Sequence, residues 1–353
     1  MPRSALIVGV TGIVGNNLAD HLSQKGDWTI YGLARKPPVS GPGIYPIAAD
    51  LMKRAELHES LAGIDLTHVF FCTWSRQKTE EENCEVNGRM LGNLLDAVDA
   101  APNLTHVALV TGTKHYLGPF ERYGSGKAET PFREEEPRLP GKNFYYVQED
   151  ELFKAAERRG FSWSVHRPHT IVGYALGNAM NMGVTLAVYA TICRETGQPF
   201  LFPGSPTQWN GLTDMTDACL LARHLEWAST TTAARNQAFN VVNGDLFRWK
   251  WLWPKLGSFF NVQAEYSGRA TPLEQQMADA GPLWAGIAQR RGLVERDVSK
   301  LASWWHTDAD LGRDLECFND MSKSRQLGFL DYRATLPAFL DLFSRLRSER
   351  IIP

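Results

Sequence analysis

Short apolar runs recur through the first half of the chain. Between most of them lie stretches in which apolar residues return every three or four positions. The runs cover 4–9, 28–34, 43–48, 67–72, 106–111 and 162–167 and read as buried strands. The stretches between them cover 13–25, 54–62, 82–100 and 145–159 and read as amphipathic helices. Strands and helices in alternation predict an α/β fold with a doubly wound parallel sheet and right-handed crossovers. Past Pro168 the pattern changes: 176–235 and 246–350 are rich in Trp, Phe, Met and Pro, with loops expected over 197–211 and 264–282. Ala238-Phe-Asn-Val-Val242 again reads as a strand. The expected organisation is a Rossmann-like half over 1–174, joined by strands returning near 210–245, and a smaller, mostly helical substrate lobe over 175–353.

The first strand runs straight into Gly9-Val-Thr-Gly-Ile-Val-Gly15. In a strand–turn–helix context this spacing is a dinucleotide fingerprint. Gly9 permits the tight turn, Gly12 lets backbone approach a pyrophosphate, and Gly15 lets helix and strand pack closely. The amides around Thr11, Ile13 and Val14 then face the phosphates. The second strand ends Ala34-Arg35-Lys36, with no acid for the ribose hydroxyls. Arg35 and Lys36 suit a 2′-phosphate, so NADPH (NADP+) is the expected cofactor. Asp50 and Leu51, after the third strand, are expected to cover the adenine. Thr73 with Trp74, and Thr111 with Gly112, follow two further strand ends and should line one crevice. After the sixth strand, backbone of Thr170, Ile171 and Val172 is placed to hold a nicotinamide carboxamide.

A net charge of −2 gives no footprint for nucleic acid or an anionic membrane. No run approaches 18 apolar residues, and the strand at once after Met1-Pro-Arg leaves no signal-peptide pattern. The five cysteines are scattered without a CxxC pair, and the nine histidines show no ligand spacing. A reducing cytoplasm and no metal site are therefore expected.

Short-chain dehydrogenases carry Tyr-x-x-x-Lys on the helix after strand five. Here Glu149 lies four residues after Tyr145 and Asp150 four after Tyr146, so the lysine is missing from either register. A cation stands elsewhere, at Lys114 in Thr111-Gly-Thr-Lys-His-Tyr116. From the residues alone, Tyr145 and Tyr146 could exchange roles.

The chain resembles the progesterone 5β-reductase and iridoid synthase-like enzymes, a divergent group of extended short-chain dehydrogenases, over nearly its whole length. The likeness rests on the glycine turn, Gly32-Leu-Ala-Arg-Lys36, Thr73-Trp74, Glu82-Asn-Cys-Glu85 with Asn87, and Thr111-Gly112 with Lys114-His-Tyr116. It continues through Asn143-Phe-Tyr-Tyr146 with Glu149-Asp150, Ser164-Val-His-Arg-Pro168, Phe239-Asn-Val-Val-Asn-Gly-Asp245 and Gly281-Pro-Leu-Trp284. The resemblance implies that Tyr145 and Lys114 are the catalytic pair of an NADPH-dependent 1,4-reduction of an enone or enal. It also implies relatives that form homodimers. Hydride reaches the β-carbon of an enone only if charge developing on the carbonyl oxygen is stabilised, and a phenol O–H with an ammonium does this. The lysine is further expected to draw the phenol pKa below its usual value of about 10.

Trp74, Tyr116, Phe120, Met180, Met182, Trp209, Trp284 and Trp305 are candidate walls of a small hydrophobic substrate pocket. At Trp304-Trp305-His306 the chain departs from the plant members, which have phenylalanine at the third position. His306 is expected either to face solvent beside Asp308 or to polarise the pocket toward small enones. Two other readings stay open: a catalytically silent NADP(H)-binding sensor, and a nucleotide-sugar epimerase or dehydratase.

Overall fold

The computed structural model describes residues 3–37, 43–118, 129–177 and 180–353. Phe120 lies outside them. Six strands in the first half, β1 (Arg3–Val8), β2 (Trp28–Ala34), β3 (Ile44–Ala48), β4 (His68–Phe71), β5 (His106–Val110) and β6 (Ser162–Pro168), stand within two residues of the expected bounds. The helices between them are α1 (Ile13–Lys25), α2 (Arg54–Leu61), α3 (Glu80–Ala97), the single turn α4 (Lys114–Leu117) and α5 (Phe144–Arg159).

The chain then adds short strands β7 (Ile171–Val172), β8 (Phe200–Leu201) and β9 (Thr216–Asp217) before the predicted returning strand, β10 (Gln237–Val241). One seven-stranded sheet results, in the order β10-β6-β5-β4-β1-β2-β3, and every neighbouring pair in it is parallel. Both faces are covered, as parallel sheets require. Alternate residues of β1 explain the continuous apolar run. Leu6 and Val8 pack against Leu57, Leu91, Leu94 and Leu152 of α2, α3 and α5, while Ala5 and Ile7 face Leu18 and Leu22 of α1. Leu221 and Leu225, from α8 (Ala218–Thr230), complete that second face, so the later half of the chain closes the layer begun by α1.

Beyond the sheet, α6 (Met182–Thr196) is apolar nearly all round and lies at the centre of a separate core with Trp249, Trp253, Trp284, Phe339 and Phe343. Phe200 stacks on Trp253 at 3.9 Å between ring centroids. The stretches expected as loops carry short elements: β8 and α7 (Pro206–Asn210) in the first, β11 (Ala264–Glu265, paired with β8) and the turn Leu273–Gln276 in the second. None spans enough residues for periodicity to register. Among the described residues, no helix is long and apolar enough to cross a membrane, and no group of three or more His, Cys, Asp or Glu could hold a metal ion.

Candidate active site

The carboxyl ends of β1, β4, β5 and β6 open into one cleft of about 700 Å³. Its floor is the glycine turn. Gly9 has a φ of +84°, and a Cβ there would lie 2.7 Å from the Thr73 Cβ, so only glycine fits. A Cβ on Gly15 would come 2.3 Å from the Gly9 carbonyl oxygen, which is how closely α1 packs on the turn. Gly12 caps α1 without a side-chain hydrogen bond. The first-turn amides therefore keep their donors for an anion, at the positive end of the helix dipole. Thr11, Gly12, Ile13 and Val14 line the cleft, with Lys36 at one end and Thr73, Trp74, Thr111 and Gly112 along the wall. This cradle fits the pyrophosphate of a dinucleotide.

Lys114 and Tyr145 both line the same cleft. Asn143 ties their elements together: its side chain caps α5 by accepting from the Tyr145 amide at 3.0 Å, and its Nδ2 donates to the Lys114 carbonyl at 3.1 Å. Lys114 is buried, and its Nζ donates to Glu80 Oε2 at 2.5 Å while lying 4.5 Å from the centroid of the Phe144 ring. Trp74 stacks on the same ring at 5.4 Å. The Tyr145 hydroxyl sits against Gly112, 3.2 Å from where a Cβ would stand. Burial, and then the Glu80 carboxylate, push the Tyr145 pKa well above its usual value. The expectation that Lys114 draws the phenol toward phenolate is thus corrected. A low-dielectric wall and a carboxylate outweigh a cation already paired with that carboxylate, so Tyr145 keeps its proton.

The structure also separates the two tyrosines. Tyr146 turns away from the cleft, donating to the His115 carbonyl at 2.8 Å and accepting from the Leu139 amide at 2.9 Å. Glu149 and Asp150, where a Tyr-x-x-x-Lys lysine would fall, are both held by Arg138 at 2.8 Å, and Glu149 also faces Arg167 at 3.6 Å. That side of α5 is an ion-pair seam with no part in the cleft.

At the far end Thr170 and Ile171 line the cleft, and Thr170 Oγ1 donates to Asp310 at 2.7 Å. Val172 does not, because its side chain is buried in the second core. His169, behind Thr170, bonds Asp214 through Nδ1 at 2.8 Å and meets Arg313 at 3.0 Å, pinning the loop after β6. Met180, His306 and Asp310 close the wall. His306 therefore faces the cleft; Asp308 is occupied instead with the Leu273 and Glu274 amides at 2.7 and 2.9 Å. Burial lowers the His306 pKa, and its Nδ1 has no hydrogen-bond partner.

Several expected site residues lie elsewhere. Tyr116 is buried with its hydroxyl donating to Asn240 at 2.6 Å and its ring stacked on Phe132, and burial raises its pKa to about 12. Met182 and Trp284 are in the second core, and Trp209 stacks on Tyr266 beside it. Trp305 carries Arg76 over its ring at 3.6 Å and is not part of the wall. Leu51 is buried against the sheet, and Asp50 accepts the Met52 amide at 3.0 Å. Arg35 is exposed next to Lys36 but outside the cleft itself. Sequence reasoning missed Glu80, Phe144, His169 and Asp310. Phe144 could have been found as the neighbour of Tyr145. Glu80 could not, since it sits in a run of first-turn acids that the helix dipole alone explains.

A glycine-turn parallel sheet with a Tyr–Lys wall defines a Rossmann-fold oxidoreductase of the extended short-chain dehydrogenase kind. The chain belongs to the PRISE-like Rossmann-fold domain family, whose profile matches residues 39–353. It is 42% identical over 362 residues to the (S)-8-oxocitronellyl enol synthase of Nepeta cataria, with 99% of this chain and 93% of that protein covered. It is 40% identical to the 3-oxo-Δ4,5-steroid 5β-reductase of Arabidopsis thaliana, with the same coverage. Among solved structures, a UDP-glucose 4-epimerase of Thermotoga maritima with UDP-glucose has a TM-score of 0.69 at 12% identity, covering 98% of this chain and 99% of that one. That last likeness is one of fold.

Proposed function

We propose that this protein reduces the C=C bond of small enones or enals by 1,4-addition, with NADPH as cofactor. The observation that carries the reading is that Tyr145 and the buried Lys114 line the same cleft as the glycine cradle. NADPH, when bound, supplies the hydride. The α1 amides and the Gly9–Gly12 turn would hold its pyrophosphate, Lys36 with Arg35 its 2′-phosphate, and backbone of Thr170 and Ile171 its carboxamide. Thr73, Trp74, Thr111 and Gly112 would flank it.

Tyr145 donates its O–H to the substrate carbonyl oxygen, where charge collects as the β-carbon is reduced. A neutral donor fixed in place by the surrounding elements needs little reorganisation as that charge grows, and such a donor is typically worth about 3–4 kcal/mol of barrier. Lys114, compensated by Glu80, keeps a positive charge near that oxygen. Trp74, Met180 and His306 bound the substrate. The seam at Glu149 and Asp150 leaves no lysine for the proton relay of alcohol dehydrogenation, so ketone–alcohol interconversion is expected to be weak. The names of the two relatives, an enol synthase and a steroid 5β-reductase, support the reading.

The test is loss of NADPH absorbance with cyclohexenone for wild type, Tyr145→Phe and Lys114→Ala. Both variants are expected to lose roughly 100-fold or more in kcat while still binding NADPH. Tight NADPH binding with no turnover over a panel of enones would instead point to a sensor.

A further inference from the structure

We propose that Glu80 is the positioning residue of this site, clamping the Lys114 ammonium and the head of the Tyr145 helix with its two carboxylate oxygens. The inference rests on the reading of Tyr145 and Lys114 given above. Oε2 accepts from Lys114 Nζ at 2.5 Å and also from Asn83 Nδ2 at 3.2 Å; Oε1 accepts from the Phe144 amide at 2.9 Å. Glu80 is the first residue of α3, and a capping box between Thr79 and Glu82 fixes the backbone there. One carboxylate therefore joins α3, α4 and α5. Phe144 takes part twice, its amide held by Glu80 and its ring under the ammonium at 4.5 Å. Tyr145 is the next residue, so the clamp sets where the phenol enters the cleft.

Two consequences follow. The ammonium is held charged and in place in a buried wall, where an unpaired cation would be costly. The carboxylate also opposes ionisation of the phenol, so Tyr145 remains a donor. The pair then works as a proton-bearing phenol beside a compensated charge.

The test compares Glu80→Gln, which keeps the shape and loses the charge, with wild type. The first readout needs neither cofactor nor substrate: acetylation of individual lysines, followed by peptide mass spectrometry across pH. Without its carboxylate, Lys114 should ionise about one pH unit lower and label about tenfold faster, with the other lysines unchanged as a check of folding. The second readout is steady-state enone reduction, in which kcat should fall about tenfold with KM nearly unchanged. Should Glu80→Gln not fold, Glu80→Asp replaces it. Its charge is retained, but the side chain is one methylene too short to reach both partners, so kcat should fall while Lys114 stays protected. Wild-type labelling of Lys114 in folded Glu80→Gln, or wild-type kcat in Glu80→Asp, overturns the proposal. If labelling shifts as expected in a protein that reduces no enone, the clamp stands and the enone reductase reading falls. If Tyr145→Phe abolishes turnover and Glu80→Gln leaves both readouts unchanged, the reading stands and the clamp falls.

Discussion

Gly112 and Tyr145 are fitted to each other: a Cβ on Gly112 would lie 3.2 Å from the phenol oxygen and 3.3 Å from the Pro168 carbonyl oxygen. Both distances are tight without being impossible, so Gly112→Ala should fold and push the phenol aside by a few tenths of an ångström. The expected result is about a tenfold drop in kcat with little change in melting temperature, because catalytic geometry is more sensitive to small displacements than packing is. Turnover and thermal melting of one preparation check this. Wild-type turnover would show that the phenol position is not critical.

The raised pKa of Tyr145 has a sign that kinetics can read. A phenol that must stay protonated loses activity only as pH climbs past its own pKa, which burial and Glu80 hold above the ordinary value of about 10. The kcat/KM profile for enone reduction should show no alkaline fall assignable to Tyr145 below that value. A Tyr145-dependent fall near pH 8 would mean that the phenolate is the easier form in this wall.

His306 faces the cleft as a neutral ring with an unpartnered Nδ1. Its replacement by phenylalanine removes a polar edge and adds apolar surface. The ratio of kcat/KM for bulky apolar enones over small ones should rise, by roughly tenfold for a change of this size in a pocket. An unchanged ratio across a substrate series would remove His306 from the specificity determinants.

Lys36 lines the cleft beyond β2 with no acid beside it. Lys36→Ala should weaken NADPH binding by about tenfold, the scale of one lost charge-assisted contact, and leave NADH binding nearly unchanged. Equal effects on the two cofactors would exclude a role at the 2′-phosphate.

A row of histidines crosses the sheet and makes the fold sensitive to acid. His224 Nδ1 meets His166 Nδ1 at 3.1 Å, and Ser164 Oγ bridges His166 to His106 at 2.9 Å on each side. Burial lowers all three pKa values, to about 3 for His224 and well below the usual value for the others. The unfolded chain therefore binds protons that the native state refuses. Stability is complete above about pH 6.5 and declines as pH falls below it, each histidine adding a slope of up to about 1.4 kcal/mol per pH unit. Urea midpoints at pH 7.5 and 5 should differ clearly, and less so in His224→Asn.

The strands were legible because a parallel sheet buried on both faces needs apolar runs such as Ala5–Val8, and the fingerprint glycines mark the turn they serve. The Tyr–Lys wall was legible by resemblance. The walls of the substrate pocket were less so, since aromatic residues serve cores and pockets alike. Tyr116 and Trp284 ended in cores, while Trp74 reached the cleft. What sequence could not show is which partner a charge finds. Lys114 stands 34 positions from Glu80, and their meeting depends on three separate elements converging. The same holds for Tyr145, whose pKa moved opposite to the expectation because burial in the wall, and then that distant carboxylate, both oppose its ionisation.

The place of β10 at the rim of the sheet bears on how the chain is made. A ribosome releases β6 long before Gln237 emerges, and only then can Gln237–Val241 pair with Ser164–Pro168. At roughly 5–20 residues per second, β6 waits for several seconds with one side of its ladder bare. During that interval the nascent chain presents a row of unpaired N–H and C=O groups along β6 to its neighbours. Synthesis of residues 169–236 is thus the interval in which the edge of β6 stays open to pairing with another chain.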